Sequence, residues 1–141
     1  MDRYIYPAVF DPCKEGGYCI TFPDLSGIVT EGDTVEESLA MAKEALTLHL
    51  WGMEDAGDHI PPPTPPEKVP VPEGGFVSLV EAWMPPIRDR MDNKAVNKMV
   101  TLPKWLKDLG DRENVNFSHI LQNALKNHLG LKDYKQVRKQ P

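Results

Sequence analysis

Side-chain alternation at the start of the chain has the period of two that predicts β-strands. Residues 4–10 and 18–22 both alternate, and the Asp-Pro and Gly-Gly residues between them are typical of a turn, so the pair predicts a β-hairpin. A second turn at 23–27 leads to a short strand at 28–32. The chain therefore opens with three predicted strands.

A helix is predicted to follow these strands. Thr34 and Glu37 have the spacing of a capping box, in which each side chain accepts a hydrogen bond from a backbone N–H at the helix start. Hydrophobic residues then recur every three or four positions, which predicts one buried stripe: Val35, Leu39, Ala42, Leu46, Leu50 and Met53. Gly57 is the predicted terminator.

The proline-rich segment 60–72 allows three interpretations. Proline fixes φ and lacks an N–H, so the segment is predicted to form neither a helix nor a central strand. It could be a linker between domains, a peptide ligand for an aromatic groove, or a long surface loop. The loop is favoured, because residues 75–83 have strand composition and would return to the first sheet. The predicted first domain is then β-β-β-α-β and spans 1–86.

The remaining residues predict a smaller second unit. Residues 87–94 are polar and charged, which indicates a linker. Residues 95–131 hold a short strand ending in Thr-Leu-Pro, a helix at about 104–112 and a second helix at about 117–129. The tail 132–141 is basic and is expected to fray.

A single strand with two short helices is too small to bury a hydrophobic core. Domains of about forty residues need a metal, disulfides or a partner chain. Two copies that pair their strands antiparallel would close the core, so this unit is predicted to form a homodimer. A higher oligomer, in which such dimers associate through the first domains, stays open. The predicted dimer contacts come from the strand and both helices: Val96, Val100, Leu102, Trp105, Ile120 and Leu121.

Charge is distributed unevenly along the 141 residues, whose net charge is −5. Residues 1–90 hold 6 Lys/Arg and 16 Asp/Glu, a net charge of −10, whereas residues 91–141 hold 10 Lys/Arg and 5 Asp/Glu, a net charge of +5. This asymmetry indicates a basic partner for the first part and nucleic acid for the second. The alternative is that both charge excesses only keep the surface solvated.

Composition argues against membrane, secreted and metal-binding classes. No apolar run approaches the roughly 20 residues of a membrane span, and the first residues lack a signal-peptide pattern, so a cytoplasmic location is expected. Cys13 and Cys19 flank a predicted turn and are expected to be free thiols in a reducing compartment. Zinc would need two further ligands, and the histidines lack motif spacing, so neither a metal nor a cofactor is expected.

Alternation in the short strand divides its side chains between two faces. If Val100 and Leu102 are buried, Asn97, Met99 and Thr101 point outward. A two-stranded ribbon fits the major groove of DNA, where outward side chains read base edges. The predicted phosphate contacts are basic side chains near the ribbon and residues at the start of the second helix: Lys94, Lys98, Lys104, Asn116 and Ser118.

Two stretches resemble known protein families. Residues 96–130, with "VTLP" ending the strand and "VNFSHILQNAL" opening the second helix, resemble a ribbon-helix-helix DNA-binding domain. The first half, above all "FPDLSGIVTEGDTVEESL", resembles the HicB antitoxin family. The resemblance implies an α+β protein in which a degenerate ribonuclease-H-like domain precedes the DNA-binding domain.

The same resemblance implies two activities. The first domain would bind and inhibit a small HicA ribonuclease toxin that cleaves messenger RNA, and the second would repress the shared operon by binding operator DNA. A basic toxin fits the −10 charge of residues 1–90. The candidate toxin contacts are the acidic residues Asp24 and Glu31.

Two other functions stay open on the sequence alone. A ribonuclease-H-like domain could itself be a nuclease, which needs several inward carboxylates to hold metal ions. Residues 4–10 contain no acid, and Asp11, Asp24 and Glu31 lie at turns or strand ends, so the chain is not expected to be an enzyme. The chain could also be a standalone repressor whose first domain senses a small ligand.

Overall fold

The computed structural model describes residues 1–131, and the basic tail 132–141 lies outside the described residues. The chain divides into two compact units, Met1–Ala95 and a second that begins at Val96. Within the described part of the chain, no helix combines the length and the apolar character needed to cross a membrane.

The first unit is a four-stranded antiparallel sheet with one long helix packed against it. Its strands lie in the order β3-β2-β1-β4. In chain order the elements are β1 (Arg3–Pro12), β2 (Tyr18–Phe22), β3 (Leu25–Gly32), α1 (Val35–Ala56), β4 (Phe76–Trp83) and α2 (Pro85–Asp92). The predicted β-β-β-α-β order is confirmed, since β4 returns to pair with β1 from Arg3 opposite Trp83 to Phe10 opposite Phe76.

The hydrophobic core lies between one face of this sheet and one stripe of α1. Its largest contributors are Tyr6, Phe10, Ile20, Phe22, Leu46 and Leu50, all of them buried. The predicted capping box is present, because Thr34 Oγ1 accepts a hydrogen bond from the Glu37 N–H at 3.1 Å. The Glu37 carboxylate accepts in return from the Asp33 N–H at 3.2 Å.

The proline-rich segment packs on the first unit, which confirms the surface-loop interpretation. The Tyr6 hydroxyl donates a hydrogen bond to the Pro61 carbonyl oxygen. The Asp24 carboxylate accepts from the Thr64 N–H at 2.9 Å and from the Thr64 hydroxyl at 2.5 Å. Val69 is buried near the end of the segment. These contacts hold a segment without regular strands against the sheet.

The segment 87–94, interpreted as a linker, is largely helical. Helix α2 begins at Pro85, and proline suits the first position of a helix because its missing N–H has no intrahelical partner there. Ile87 is buried in the core of the first unit, which continues to Ala95. The linker interpretation rested on the charged and polar residues that lie on the exposed side of this helix, whereas only Ile87 is buried.

Cys13 and Cys19 form a disulfide, so the expectation of two free thiols is wrong. The β1–β2 register places Asp11 opposite Cys19 and Pro12 opposite Tyr18, directly beside the turn. The two cysteine Cα atoms are thereby 6.0 Å apart, within the range that a disulfide requires.

The second unit contains the two predicted helices. Helix α3 spans Lys104–Arg112 and α4 spans Phe117–His128. Asn116 caps α4, because its side-chain oxygen accepts from the His119 N–H at 3.0 Å. Gly110 lets the helices approach closely, since a Cβ at that position would lie 2.5 Å from a ring atom of Phe117.

The short strand predicted before α3 does not form in the single chain. Residues 94–103 are neither helix nor strand. A strand is defined by its hydrogen bonds to a neighbouring strand, and the predicted neighbour belongs to a second copy. The ribbon therefore stays a prediction.

Candidate DNA-binding and toxin-binding surfaces

The second unit exposes an apolar groove. The groove has a volume of about 610 Å³ and is lined mainly by hydrophobic side chains from both helices and the turn between them, among them Leu106, Leu109, Val115, Phe117, Ile120 and Leu121. Ile120 is 53% exposed and Leu121 is 38% exposed, although both lie on the apolar face of α4. A contiguous apolar surface of this kind is typical of a protein interface.

Side chains before α3 divide between the groove and the opposite side. Lys98, Val100 and Leu102 line the groove, whereas Asn97, Met99 and Thr101 do not. Met99 is 94% exposed, compared with 43% for Leu102. This division has the period of two that the sequence predicted, and it places Lys98 on the inward side.

Two predicted dimer contacts lie outside the groove. Val96 is 84% exposed and Trp105 is 67% exposed, and neither lines the groove. Both are large hydrophobic side chains in water, so both are available to a second chain. Their role in dimerisation stays a prediction.

The predicted phosphate contacts lie at the surface of the second unit and of the segment before it. Lys94, Lys98 and Ser118 are exposed. Lys104 is also exposed and its ammonium pairs with the Asp108 carboxylate one helical turn later, at 2.7 Å. A pair this exposed contributes little to stability.

The two candidate toxin contacts differ in their surroundings. Glu31 is exposed on β3. Asp24 is partly buried, and both of its carboxylate oxygens accept hydrogen bonds from Thr64. Asp24 therefore has a structural role in holding the proline-rich segment, whatever else it binds.

Carboxylates do not converge into a nuclease-like site within residues 1–131. The one group of at least three neighbouring metal-ligating side chains there is Cys13, Cys19 and Glu31, which contains a single carboxylate. The Asp24 carboxylate instead accepts a hydrogen bond from the Thr64 N–H. Two-metal nucleases require several carboxylates around one point, so this arrangement gives no support to the nuclease interpretation.

A polar cluster that the sequence did not reveal joins α2 to the start of the chain. Arg88 donates to both carboxylate oxygens of Glu54, at 3.0 and 2.6 Å, and to Asp2 at 2.6 Å. The Tyr4 hydroxyl donates to Glu54 at 3.0 Å. Its members are far apart in sequence, so no local pattern signals the cluster.

The surroundings of this cluster lower the pKa of Glu54 and raise the pKa values of Tyr4 and Arg88. The hydrogen bonds from Arg88 lower the pKa of the Glu54 carboxyl, against an opposing effect of burial. Burial raises the pKa of the Tyr4 hydroxyl, and the hydrogen bond to Glu54 raises it further. Glu54 is thus held in its charged form.

Comparison with known sequences identifies relatives of this chain. The family model described as a HicB-like antitoxin of bacterial toxin-antitoxin system matches residues 6–124. "Antitoxin HicB 1" of Photorhabdus laumondii is 42% identical over 60 residues, which are 43% of this chain and 39% of that protein. The chain therefore spans about two fifths of that relative's length.

Comparison with solved structures shows the same fold. The toxin-antitoxin complex from Streptococcus pneumoniae contains a chain with a TM-score of 0.59 and 23% identity, over 89% of this chain and 99% of that one. The antitoxin HicB of Burkholderia pseudomallei has a TM-score of 0.50 and 21% identity, over 86% of this chain and 96% of that one.

Proposed function

Because the chain belongs to the HicB-like antitoxin family of bacterial toxin-antitoxin systems, we propose that it neutralises a HicA-type ribonuclease toxin and represses its own operon. The first unit binds the toxin, and the second unit dimerises and binds operator DNA. The observation that carries this proposal is the family match over residues 6–124, which extends into both units.

Charge supports the division of labour between the units. A toxin that cleaves messenger RNA must attract a polyanion, so it is expected to be basic. Residues 1–90 carry a net charge of −10, and opposite charges accelerate encounter and favour the correct partner. Exposed acidic residues such as Glu31 would contribute to this attraction, whereas Asp24 is already engaged by Thr64.

The second unit supports DNA binding through its open groove. Val100 and Leu102 line that groove beside the helices, and a second copy of the unit would cover it. Pairing of the two segments before α3 would then give a ribbon with Asn97, Met99 and Thr101 on its outer side. Asparagine and threonine can hydrogen-bond base edges, and methionine can contact a thymine methyl group.

Phosphate binding is the proposed role of the basic residues around this ribbon. Lys94, Lys98 and Lys104 would neutralise backbone charge, with the flexible stem of Lys98 carrying its ammonium out of the groove. The N-terminus of α4, at Asn116 and Ser118, would present backbone N–H groups to a phosphate.

Co-expression in bacteria tests both activities together. A HicA-type toxin encoded beside this gene should arrest growth when expressed alone, and the full chain should restore growth. A reporter driven by the operon's promoter should be repressed by the chain, and Asn97→Ala should weaken that repression. A chain that restores growth but leaves the reporter unchanged would contradict the DNA-binding half of the proposal.

A further inference from the structure

Two cysteines beside the β1–β2 turn, which the proposed antitoxin function does not use, lie next to Glu31 of β3. Cys13, Cys19 and Glu31 each offer one ligand atom, and these three atoms lie within 4.8 Å of one another. No other group of three His, Cys, Asp or Glu side chains within residues 1–131 meets that criterion. Two of the three potential ligands are sulfur, which points to a different class of ion from those bound by exposed acidic clusters.

Sheet register builds this cluster. Cys19 lies on β2, directly opposite Glu31 on β3. Cys13 follows the end of β1, and its N–H donates to the Gly17 carbonyl at 3.1 Å, which closes the turn. Gly17 packs so closely on the end of β3 that a Cβ there would collide with the Gly32 carbonyl oxygen. The turn therefore holds both cysteines beside Glu31.

The sulfur atoms are accessible to reagents in solution. Cys19 and Glu31 are exposed and Cys13 is half-buried. A dithiol can open the Cys13–Cys19 disulfide by thiol–disulfide exchange. The dithiol supplies two electrons and two protons and becomes a disulfide itself, and both cysteines become thiols.

We propose that the reduced chain binds a thiophilic divalent cation of the zinc class through Cys13, Cys19 and Glu31. Zinc accepts thiolate and carboxylate ligands in a tetrahedron, in which two sulfur ligands lie about 3.8 Å apart, given Zn–S distances of about 2.3 Å. The three ligand atoms already lie within 4.8 Å of one another, so side-chain rotations bring them onto one ion. Binding releases the two thiol protons, and a water molecule completes the coordination.

Ligand type sets the selectivity and makes the site sensitive to oxidation. Thiolates select zinc-like ions over magnesium and calcium, which prefer oxygen ligands. A sulfur atom in a disulfide is no longer a thiolate and cannot serve as this ligand. The disulfide and the bound ion therefore exclude each other at the same turn.

Cobalt(II) titration of the full chain tests the proposal without any substitution. Thiolate ligation produces a sulfur-to-cobalt charge-transfer band in the near ultraviolet, which binding to histidine or carboxylate elsewhere does not produce. The chain reduced with a dithiol, and then separated from it without oxygen, should show the band at one equivalent of cobalt, and zinc should abolish it. The oxidised chain should show none. A reduced chain without the band, or an oxidised chain with it, would overturn the proposal.

Two matched carboxylate variants test the ligand set. Asp11 lies opposite Cys19 on the side away from Glu31 and is also exposed, yet it is not part of the cluster. Glu31→Gln should weaken cobalt binding by more than about tenfold. Loss of a side chain that only hydrogen-bonds a metal ligand already lowers metal affinity by about tenfold or more, and Glu31 is itself a proposed ligand. Asp11→Asn should leave the affinity nearly unchanged. Equal losses would show that nearby negative charge attracts the ion, and the assigned ligand set would be wrong.

Discussion

Replacing Arg88 with alanine should destabilise the first unit more than any other single change at a charged residue of α2. Arg88 donates to both carboxylate oxygens of Glu54 and also to Asp2 and to the Met1 carbonyl oxygen. The Arg88 and Glu54 side chains are only 28% and 23% exposed. The substitution therefore removes the Arg88 hydrogen bonds from the largely buried Glu54 carboxylate, to which the Tyr4 hydroxyl still donates.

The expected loss in the free energy of unfolding is about 2–3 kcal/mol. Hydrogen bonds to charged groups contribute about 1.5–3 kcal/mol, and removing one partner of a fully buried pair costs about 3–5 kcal/mol. Partial exposure places this pair below the fully buried case. The contact with Asp2 adds little, because the Asp2 side chain is 61% exposed.

The pH dependence of this loss follows from the lowered pKa of Glu54. A carboxyl whose pKa is lower in the folded state than in the unfolded state stabilises the fold at pH values above its unfolded-state pKa. That contribution disappears as the pH falls through the folded pKa and Glu54 becomes protonated. The difference in stability between the wild-type chain and Arg88→Ala should therefore be largest near about pH 7 and should shrink below about pH 4.

Urea unfolding at one fixed protein concentration measures this difference, since the proposed dimerisation would make stability depend on concentration. Arg90→Ala is the matched control, because Arg90 is an exposed arginine on the same helix and its loss should change stability by less than about 0.5 kcal/mol. Equal losses for the two variants, or a loss at Arg88 that does not change between about pH 7 and about pH 3, would refute the role given to the Glu54 pair.

Three further predictions concern the proposed interfaces. Asn97→Ala should weaken binding to operator DNA by about 1–3 kcal/mol and should change binding to a scrambled duplex little. Lys104→Ala should weaken binding to both duplexes and reduce the slope of log affinity against log salt concentration by roughly one. Equal losses on both duplexes for Asn97→Ala would show the ribbon register to be wrong. Leu121→Asp should leave the chain monomeric at micromolar concentration, because it places a charge in the groove that a second copy would cover; light scattering across a dilution series measures this, and a dimer would contradict it. A chain ending after residue 95 should fold and inhibit the toxin. A chain ending after residue 86 should unfold at a lower urea concentration than the chain ending after residue 95, because it lacks the buried Ile87 and the Arg88 contacts. Equal unfolding midpoints for the two chains would contradict that role for α2.

Local sequence patterns were sufficient for the β-β-β-α-β order of the first unit and for helices α3 and α4, but they missed helix α2. Period-two alternation placed the first strands, and the Thr34–Glu37 spacing placed the start of α1, because both signals arise within a few residues of chain. The period of two in the side chains around Val100, which alternate between lining and not lining the groove, could be predicted for the same reason.

Contacts between distant residues were not readable. The Asp24–Thr64 hydrogen bonds join residues 40 positions apart, and the Arg88–Asp2 contact joins residues 86 positions apart. Such contacts are set by the folded sheet rather than by neighbouring residues. Dimer contacts at Val96 and Trp105 also depend on a second chain, so neither the sequence nor a single chain decides them.

Ribonuclease inhibition in vitro tests the central claim most directly. A purified HicA-type toxin, the proposed partner, should cleave a fluorescently labelled RNA, and the full chain should abolish cleavage once it is equimolar with the toxin. Raising the salt concentration should weaken inhibition, since attraction between opposite charges is screened beyond about 8–10 Å at physiological ionic strength. A toxin that stays fully active in the presence of excess folded chain, at low salt, would contradict the antitoxin function.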